Sequence, residues 1–310
     1  MSSGQNEKME NGSLLHYEKR LNEVIDAVEQ SYDQALPLER LAEMASFSPY
    51  HFHRIFKSYT GETPSVFVKR LRLQKAIGLI ESRAKKSLAE IALNCGFAQS
   101  SDFSRAFRET YGYPPSQHKK GRLAEDSKIR QDMRPSRGYG FYGQNTAVQE
   151  DQFEVRVQDL PEQRIAYIRV IGGFNPGKLM ASLSRLLDWG RKQGIYPGAT
   201  LAATSPDNPD IVPISRYRMD LCMILPVGAK ETGRMSFTTM PSRRYAMVHS
   251  FGDIHKVERA WTHLFSNWLP RSGYEPDNAP YVEIFRNSDD SNGWATLDLD
   301  CCVPIRTLAR

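Results

Sequence analysis

Apolar residues recur every three or four positions through the first 115 residues, the spacing of amphipathic helices. The pattern predicts a helix from about Tyr17 to Ser31 and a long helix from Pro64 to about Ser82. Ser48 and Pro49 are the residue types that favour a helix N-cap and the first helical position. Residues 1–13 are polar, so we expect them to form a disordered tail.

One helix-turn-helix pattern occurs twice in this region, over residues 41–64 and 88–115. Leu41-Ala42-Glu43 recurs 47 residues later as Leu88-Ala89-Glu90, which predicts a second turn four residues longer than the first. A repeat at a fixed spacing indicates a duplicated structural unit. The framework residues of the second helix recur 51 positions later, as the pairs Phe52/Phe103, Arg54/Arg105, Phe56/Phe107, Gly61/Gly112 and Pro64/Pro115.

The second helix of a helix-turn-helix enters the major groove with its N-terminal residues facing the bases. Arginine can bind guanine through two parallel hydrogen bonds, which makes Arg54 and Arg105 the strongest candidates. Both arginines hold the same place in the two copies, so a role in the fold or in phosphate binding is the alternative. The candidate DNA-binding residues are Tyr50, His53, Arg54, Gln99, Ser100, Ser101, Ser104 and Arg105.

Charge supports the same interpretation. The whole chain carries a formal net charge of +5, but residues 46–122 hold 14 Lys and Arg against 5 Asp and Glu, an excess of nine positive charges. A positive excess that coincides with helix-turn-helix patterns favours contact with phosphate. The predicted partner of this half is therefore double-stranded DNA.

From Phe153 onward the pattern changes to alternating strands, and a second internal repeat appears. Residues 160–173 match 240–253 at a spacing of 80, and the strand before Pro226 matches the strand before Pro304 at a spacing of 78. Each copy predicts a strand, a helix and two strands. Two such copies normally join their sheets around a pseudo-twofold axis and leave a cleft between them.

The prediction is a two-domain fold: an all-α tandem helix-turn-helix domain over residues 14–121, a linker over 122–152, and an α+β domain of two strand-helix-strand-strand repeats with antiparallel sheets over 153–310. Four cysteines form neither a disulfide framework nor a zinc pattern, so we expect neither metal nor cofactor. The chain shows neither a signal-peptide pattern nor an apolar stretch of about 20 residues. These features predict a protein that is cytoplasmic, nucleoid-associated and free of membrane contact.

The duplicated unit resembles the DNA-binding domain of AraC/XylS-family transcription regulators over roughly residues 15–120. The match includes Gly96-Phe97, Phe103, Phe107 and Gly112 through Pro114-Pro115. The resemblance implies a monomer that contacts two successive major grooves, and activation through RNA polymerase. Because the exposed positions differ between the copies, we expect an asymmetric operator. The N-terminal position of the domain is similar to that of the Rob-type regulators.

The second half resembles the GyrI-like effector-binding domain, in which a small-molecule effector is expected. Strand alternation places Tyr281, Glu283 and Phe285 on one face, and an acid between two aromatics suits a lipophilic cation. Thr204 holds the matching position in the first repeat. The resemblance adds Tyr217 and Trp294 as candidate cleft residues.

Three alternatives remain for this half of the chain. The face that carries Tyr281 and Glu283 could be plain solvent-exposed surface. Some GyrI-like relatives resemble small-molecule hydrolases, in which Glu283 would act as a general acid or base. Other relatives act as protein-interaction modules on gyrase. The fusion to a DNA-binding domain favours a regulator that has no catalytic residues.

Overall fold

The computed structural model divides the chain into two units, Met1–Glu125 with Glu231–Ser236, and Asp126–Lys230 with Phe237–Arg310. The first unit is helical and the second is built on an antiparallel sheet, which confirms the predicted two-domain fold class. The predicted linker, 122–152, lies outside the described residues except for 151 and 152, and its limits stay predictions. The structure describes residues 3–82, 86–118, 151–172, 175–207, 212–233, 235–277, 279–286 and 296–307.

Six α-helices build the first unit among its described residues: α1 (Ser3–Gln30), α2 (Leu38–Met44), α3 (Pro49–Thr60), α4 (Pro64–Glu81), α5 (Leu88–Asn94) and α6 (Ser100–Tyr111). The prediction of a disordered tail over residues 1–13 is wrong from Ser3 onward, where α1 begins. Extending a helix that is already nucleated costs far less than starting one. The packed turns of α1, which bury Leu21, Val24 and Ile25, can therefore carry a polar extension.

Local chemistry sets the ends of the helices that were predicted to face DNA. The Ser48 side chain accepts a hydrogen bond from the His51 backbone N–H at the start of α3, and Pro49 follows at the first helical position. Gly61 and Gly112 end α3 and α6 with φ values of 79° and 82°, in the left-handed region that glycine adopts without steric cost.

The structure corrects the alignment of the two helix-turn-helix copies. Helices α2 and α5 each have seven residues and start 50 positions apart, so Leu41 corresponds to the buried Ile91, not to Leu88. The turn residues at this spacing are Ser46 and Gly96, which share a positive φ of 51° and 76°. The second turn is therefore one residue longer than the first, not four. The repeated Leu-Ala-Glu triplet gave a wrong alignment because its two occurrences lie on different turns of α2 and α5.

Phenylalanines form the interior of both copies, as their spacing predicted. Phe52, Phe56 and Phe67 lie in one cluster, where the rings of Phe56 and Phe67 meet edge to face at 5.4 Å. In the second copy the rings of Phe103 and Phe107 lie 5.7 Å apart. Helix α4 contacts α3, α5 and α6, and therefore joins the two copies within one unit.

The second unit contains nine strands and two longer helices among its described residues: β1 (Val155–Leu160), β2 (Gln163–Ile171), α7 (Pro176–Lys192), β3 (Leu201–Ser205), β4 (Arg218–Ile224), β5 (Ser236–Met240), β6 (Arg243–Gly252), α8 (Ile254–Thr262), β7 (Tyr274–Pro276), β8 (Tyr281–Phe285) and β9 (Leu297–Thr307). The strand order is β1-β6-β9-β8-β3-β4-β2-β5, and β7 pairs with β9. The predicted strand-helix-strand-strand copy is incomplete, because a further strand precedes each copy: β1 before β2, and β5 before β6. These two first strands pair with the other repeat, β1 with β6 and β5 with β2.

This order requires the sheet to curl. Strands β1 and β2 are six positions apart in the sheet, about 29 Å if the sheet were flat. The short link between Leu160 and Gln163 reaches only about 10 Å. Curling brings the edges together, and accordingly Tyr167 on β2 and Tyr245 on β6 share one buried cluster. Helices α7 and α8 cover the opposite, outer face.

Cross-strand register shows that the two repeats are related by a spacing of 80 throughout. Adding 80 to both residues of the pair Ile165–Ile224 gives Tyr245–Pro304, which is also a pair. The spacing of 78 predicted for the last strand is therefore wrong, and the match between two prolines caused the error. Asp220 corresponds to Asp300 rather than to Asp298.

The same spacing corrects the assignment of Thr204 as the counterpart of Glu283. The true counterpart is Ala203, which also lies directly opposite Glu283 on the neighbouring strand. Two residues that are both cross-strand partners and repeat equivalents lie on the pseudo-twofold axis. Glu283 therefore occupies the centre of the sheet, and its counterpart is an alanine, so the acid remains an asymmetric feature of the repeat.

Candidate DNA-binding helices and ligand cleft

Tyr50, Arg54 and Lys57 form the exposed face of α3, at positions i, i+4 and i+7. Tyr50 is 66% exposed, so its ring is accessible to a base or a sugar. Its hydroxyl accepts a hydrogen bond of 2.9 Å from Nη1 of Arg54, and the guanidinium lies 5.7 Å from the ring centroid. His53 is half-buried, so it lies at the margin of this face.

Ser101, Arg105 and Arg108 form the equivalent face of α6, each 51 residues after its counterpart in α3. Nη2 of Arg105 donates to Oδ1 of Asp102 at 2.8 Å, in an ion pair whose side chains are 71% and 43% exposed. Gln99 is the N-cap residue, and its Oε1 accepts a 3.4 Å hydrogen bond from the Ser101 hydroxyl. The structure thus gives each predicted arginine a neighbour on its own helix.

All eight predicted DNA-binding residues lie at the start of α3 or α6, and five of them are exposed. Ser100, Ser104 and His53 are half-buried, which leaves them less surface for a ligand. Sequence reasoning missed Lys57 and Arg108 as site residues. The signal was present, since these are basic residues 51 positions apart, the spacing of the repeat itself.

Two of the positive charges counted in this region belong to the fold. Arg70 is buried and donates to Oε1 of Glu62 at 2.9 and 2.7 Å. Arg72 donates to the backbone carbonyls of Tyr32 and Gln34, both at 2.7 Å. Neither guanidinium is free to bind phosphate. The exposed positive charge is thus concentrated on residues such as Arg54, Lys57 and Arg108.

In the second unit, Glu283 lies beneath α8 on the outer face of the sheet. Nε1 of Trp261, on α8, donates to Oε1 of Glu283 at 2.9 Å. Burial raises the pKa of the Glu283 carboxyl, and the Trp261 hydrogen bond opposes this in part. The residue as a whole is half-buried, so part of it remains accessible to a ligand. The alternative of a plain solvent-exposed face is wrong for Glu283.

Trp261, which hydrogen-bonds this carboxylate, belongs to a cluster of three aromatic side chains. The rings of Trp261 and Phe265 are stacked at 6.1 Å, and the ring of Tyr281 lies 5.9 Å from the first and 5.1 Å from the second. The predicted neighbour Tyr281 is therefore part of the site. Trp261 and Phe265 were missed because they lie more than 15 residues earlier in the chain, although the apolar stripe of α8 pointed to a helix packed on this strand face.

Tyr217 and Trp294 were the other predicted cleft residues. Tyr217 is buried, and burial raises the pKa of its hydroxyl, with a smaller contribution from the charge of Glu283. Its hydroxyl also hydrogen-bonds Ser205, the cross-strand partner of Tyr281. These contacts place Tyr217 close to Tyr281, at one end of the candidate site. Trp294 lies outside the described residues.

The chemistry of these groups favours binding over covalent reaction. Cys301 is the cross-strand neighbour of Glu283, but burial raises its pKa well above the usual thiol value, so it stays a thiol. Within the described ranges, His, Cys, Asp and Glu side chains form no group of three that could hold a metal ion. Among those same residues, no helix combines the length and apolarity needed to cross a membrane.

Comparisons with known proteins agree with the two predicted domains. A helix-turn-helix domain model matches residues 41–121, and a GyrI-like small molecule binding domain model matches residues 153–306. The activator RhaS of Escherichia fergusonii is 38% identical over 105 residues, which cover 34% of this chain and 37% of RhaS. The probable regulator LumQ of Photobacterium leiognathi is 37% identical over 102 residues, which cover 32% of this chain and 41% of LumQ.

The match spans little more than a third of the length of these curated relatives. Among solved structures, the DNA-binding domain of AdpA in complex with a target DNA is 28% identical, with a TM-score of 0.32, over 34% of this chain and 95% of that one. The chain therefore combines an N-terminal AraC-type helix-turn-helix domain, over residues 41–121, with a GyrI-like small-molecule-binding domain over residues 153–306.

Proposed function

We propose that this protein is a sequence-specific transcription regulator that binds DNA through α3 and α6 and senses a small molecule in its second domain. The observation that carries the DNA-binding part is the pair of equivalent exposed faces, Tyr50-Arg54-Lys57 and Ser101-Arg105-Arg108. Each face presents basic and hydrogen-bonding groups along the second helix of a helix-turn-helix, the helix that enters a major groove. A monomer with two such helices suits two successive grooves of one duplex.

Selection of bound fragments from a pool of random duplex DNA tests this proposal. We expect one enriched site whose protected length covers two major grooves, about 20 base pairs. The two halves of that site should differ in sequence, because the two helices differ at their exposed positions. Failure to enrich any sequence, or protection shorter than one helical turn, would contradict the proposal.

For the second domain we propose a lipophilic cation as the effector class. A buried carboxylate beside three aromatic rings offers charge pairing and cation–π attraction together. Titration of the full chain with tetraphenylphosphonium, followed by calorimetry, is the direct test. Saturable binding with a stoichiometry of one is expected, since one acid lies on the pseudo-twofold axis.

Hydrolysis is the second candidate function for this domain, because a carboxyl group with a raised pKa is also suited to general acid catalysis. We favour binding without turnover, since the neighbouring thiol is held protonated. Incubation with activated aryl esters and amides separates the two candidates. Multiple turnover that is lost in Glu283→Gln would establish hydrolysis, and stoichiometric binding without product would exclude it for those substrates.

RNA polymerase is the further partner that an activator requires, and the activators among the relatives support this part of the proposal. A DNA-bound regulator also implies a cytoplasmic, nucleoid-associated location. Transcription from the selected site in vitro, with and without the protein, distinguishes activation from repression.

A further inference from the structure

The two arginines that occupy equivalent places in α3 and α6 have chemically different neighbours. Arg54 is held by the neutral hydroxyl of Tyr50, at 2.9 Å. Arg105 is held by the carboxylate of Asp102, at 2.8 Å. The residue of α6 that corresponds to Tyr50 is Ser101, whose side chain is short. The arginine of α3 therefore has a neutral neighbour, whereas the positive charge of the arginine of α6 is partly offset by a carboxylate.

The position of Asp102 makes the contrast sharper. At the repeat spacing of 51 its counterpart in α3 is His51, an exposed residue that is neutral or positive. The exposed face of α6 also carries Glu109, which lies 3.9 Å from Lys69. As a result α3 presents an excess of positive charge to a groove, while the charges on the face of α6 nearly cancel.

We propose that Asp102 is a specificity-determining residue of the second recognition helix, an inference that rests on the proposed DNA-binding function. In the free protein the Asp102 carboxylate pairs with Arg105, and this carboxylate is repelled by DNA phosphate. Arg105 therefore adds little affinity for non-cognate DNA. At the cognate site a base edge offers Arg105 two acceptors, and the carboxylate can accept from a cytosine amino group. Asp102 thus lowers the affinity for non-cognate sequences, and many interfaces gain selectivity in this way.

Because their charges differ, the two recognition helices should contribute differently to DNA binding. Helix α3 supplies phosphate attraction that is largely independent of sequence, and α6 supplies discrimination. Removing the Asp102 carboxylate should therefore strengthen binding to random DNA and weaken the preference for the selected site.

The test measures the affinity of the full chain for its selected duplex and for the random pool, over a range of salt concentrations. For Asp102→Asn we expect pool affinity to rise roughly three- to tenfold and the salt slope to steepen by about one. The ratio of the two affinities should fall about tenfold. Asp102→Glu keeps the charge within reach of Arg105 and should retain the wild-type ratio.

Glu109→Gln is the matched control, because it removes one negative charge from the same helix and leaves the ion pair between Arg105 and Asp102 in place. Equal effects of Asp102→Asn and Glu109→Gln on the affinity ratio would overturn the inference, since net charge alone would then explain both. An unchanged ratio in Asp102→Asn would also overturn it. Failure of the proposed function is distinct, because the wild-type protein would then enrich no sequence at all.

His51→Asp provides a reciprocal test in α3. The new carboxylate would lie three residues before Arg54, as Asp102 lies three before Arg105. We expect weaker binding to the pool, a salt slope flatter by about one, and a higher affinity ratio. A loss of affinity for pool and selected site by the same factor would contradict the inference. Thermal unfolding of each variant checks that the domain remains folded at the temperature of the binding assay.

Discussion

At the scale of the residue, Glu283 combines two properties that usually exclude each other. Its carboxylate is desolvated enough to raise its pKa, yet the residue as a whole is only half-buried. The Trp261 indole N–H satisfies one oxygen at 2.9 Å. A cation that replaces water beside the second oxygen would gain a charge interaction in a medium of low dielectric constant, where such interactions are strong.

Replacing Glu283 by Gln should therefore weaken the binding of tetraphenylphosphonium by roughly ten- to a hundredfold, the loss of one charge-assisted contact. The neutral triphenylphosphine oxide should bind both forms alike, because it uses the aromatic rings only. Glu162→Gln, in the exposed turn between β1 and β2, is the control for loss of a surface carboxylate. Equal losses for both ligands would show that Gln disturbs the site rather than its charge.

The raised pKa of Glu283 also predicts a pH dependence. Below that pKa the carboxyl is protonated and cannot pair with a cation, so affinity for tetraphenylphosphonium should rise with pH and level off above it. Calorimetric titrations across this range measure the effect. Glu283→Gln should give a flat profile, and a wild-type profile that is equally flat would contradict the assignment.

The stability of the folded protein should change with pH in the opposite direction to the ligand affinity. In the window between the ordinary glutamate pKa and the raised one, the folded state binds more protons at Glu283 than the unfolded state does. The free energy of unfolding of the ligand-free protein should therefore fall as pH rises through this window. Denaturant titrations of wild type and Glu283→Gln should diverge there, with the variant losing less stability.

At the scale of the element, α3 and α6 share a framework and differ in what they expose. Lys57 and Arg108 are the exception, because both copies keep a basic residue in the last turn of the exposed face. A residue two turns from the helix start lies too far back for base edges and suits the phosphate backbone.

Lys57→Ala and Arg108→Ala should each weaken binding to selected and random duplexes by the same factor, and each should flatten the salt slope by about one. Fluorescence anisotropy at several salt concentrations measures both quantities. Lys178→Ala, which removes an exposed charge from α7, is the matched control. A change in sequence preference would instead place Lys57 or Arg108 at a base edge.

Element ends were predictable because their causes are local. The Ser87 side chain and the Glu90 carboxylate, three residues apart, form a capping box, and Gly61 ends α3 in the left-handed conformation. Positions that depend on distant partners were not predictable. Val66 is an apolar residue of α4 but is 40% exposed, and Trp261 contacts Glu283, which lies 22 positions later in the chain. Register likewise depends on which strand lies alongside, and the repeat alone was ambiguous by one or two residues.

At the scale of the whole molecule, the two recognition helices give the bound DNA a direction. Exchanging the two halves of the selected site, at unchanged spacing, should reduce affinity to that of random duplex, because Tyr50 and His51 would face the bases that suit Ser101 and Asp102. Competition between the native and the exchanged duplex measures this. Equal competition by the two duplexes would show that the operator is not asymmetric.

The exchange of first strands between the repeats has a consequence for synthesis of the chain. Strand β1 pairs with β6, so Val155 cannot pair until Val248, more than 90 residues later in the chain, has been synthesised. During translation the first repeat leaves the ribosome with an edge that nothing yet covers, and its sheet cannot close until β6 has emerged. Contacts between such distant segments slow folding and expose unpaired strands to other chains. A nascent chain stalled before β6 should therefore be sensitive to protease throughout the second domain, and one stalled after β9 has left the exit tunnel should be protected.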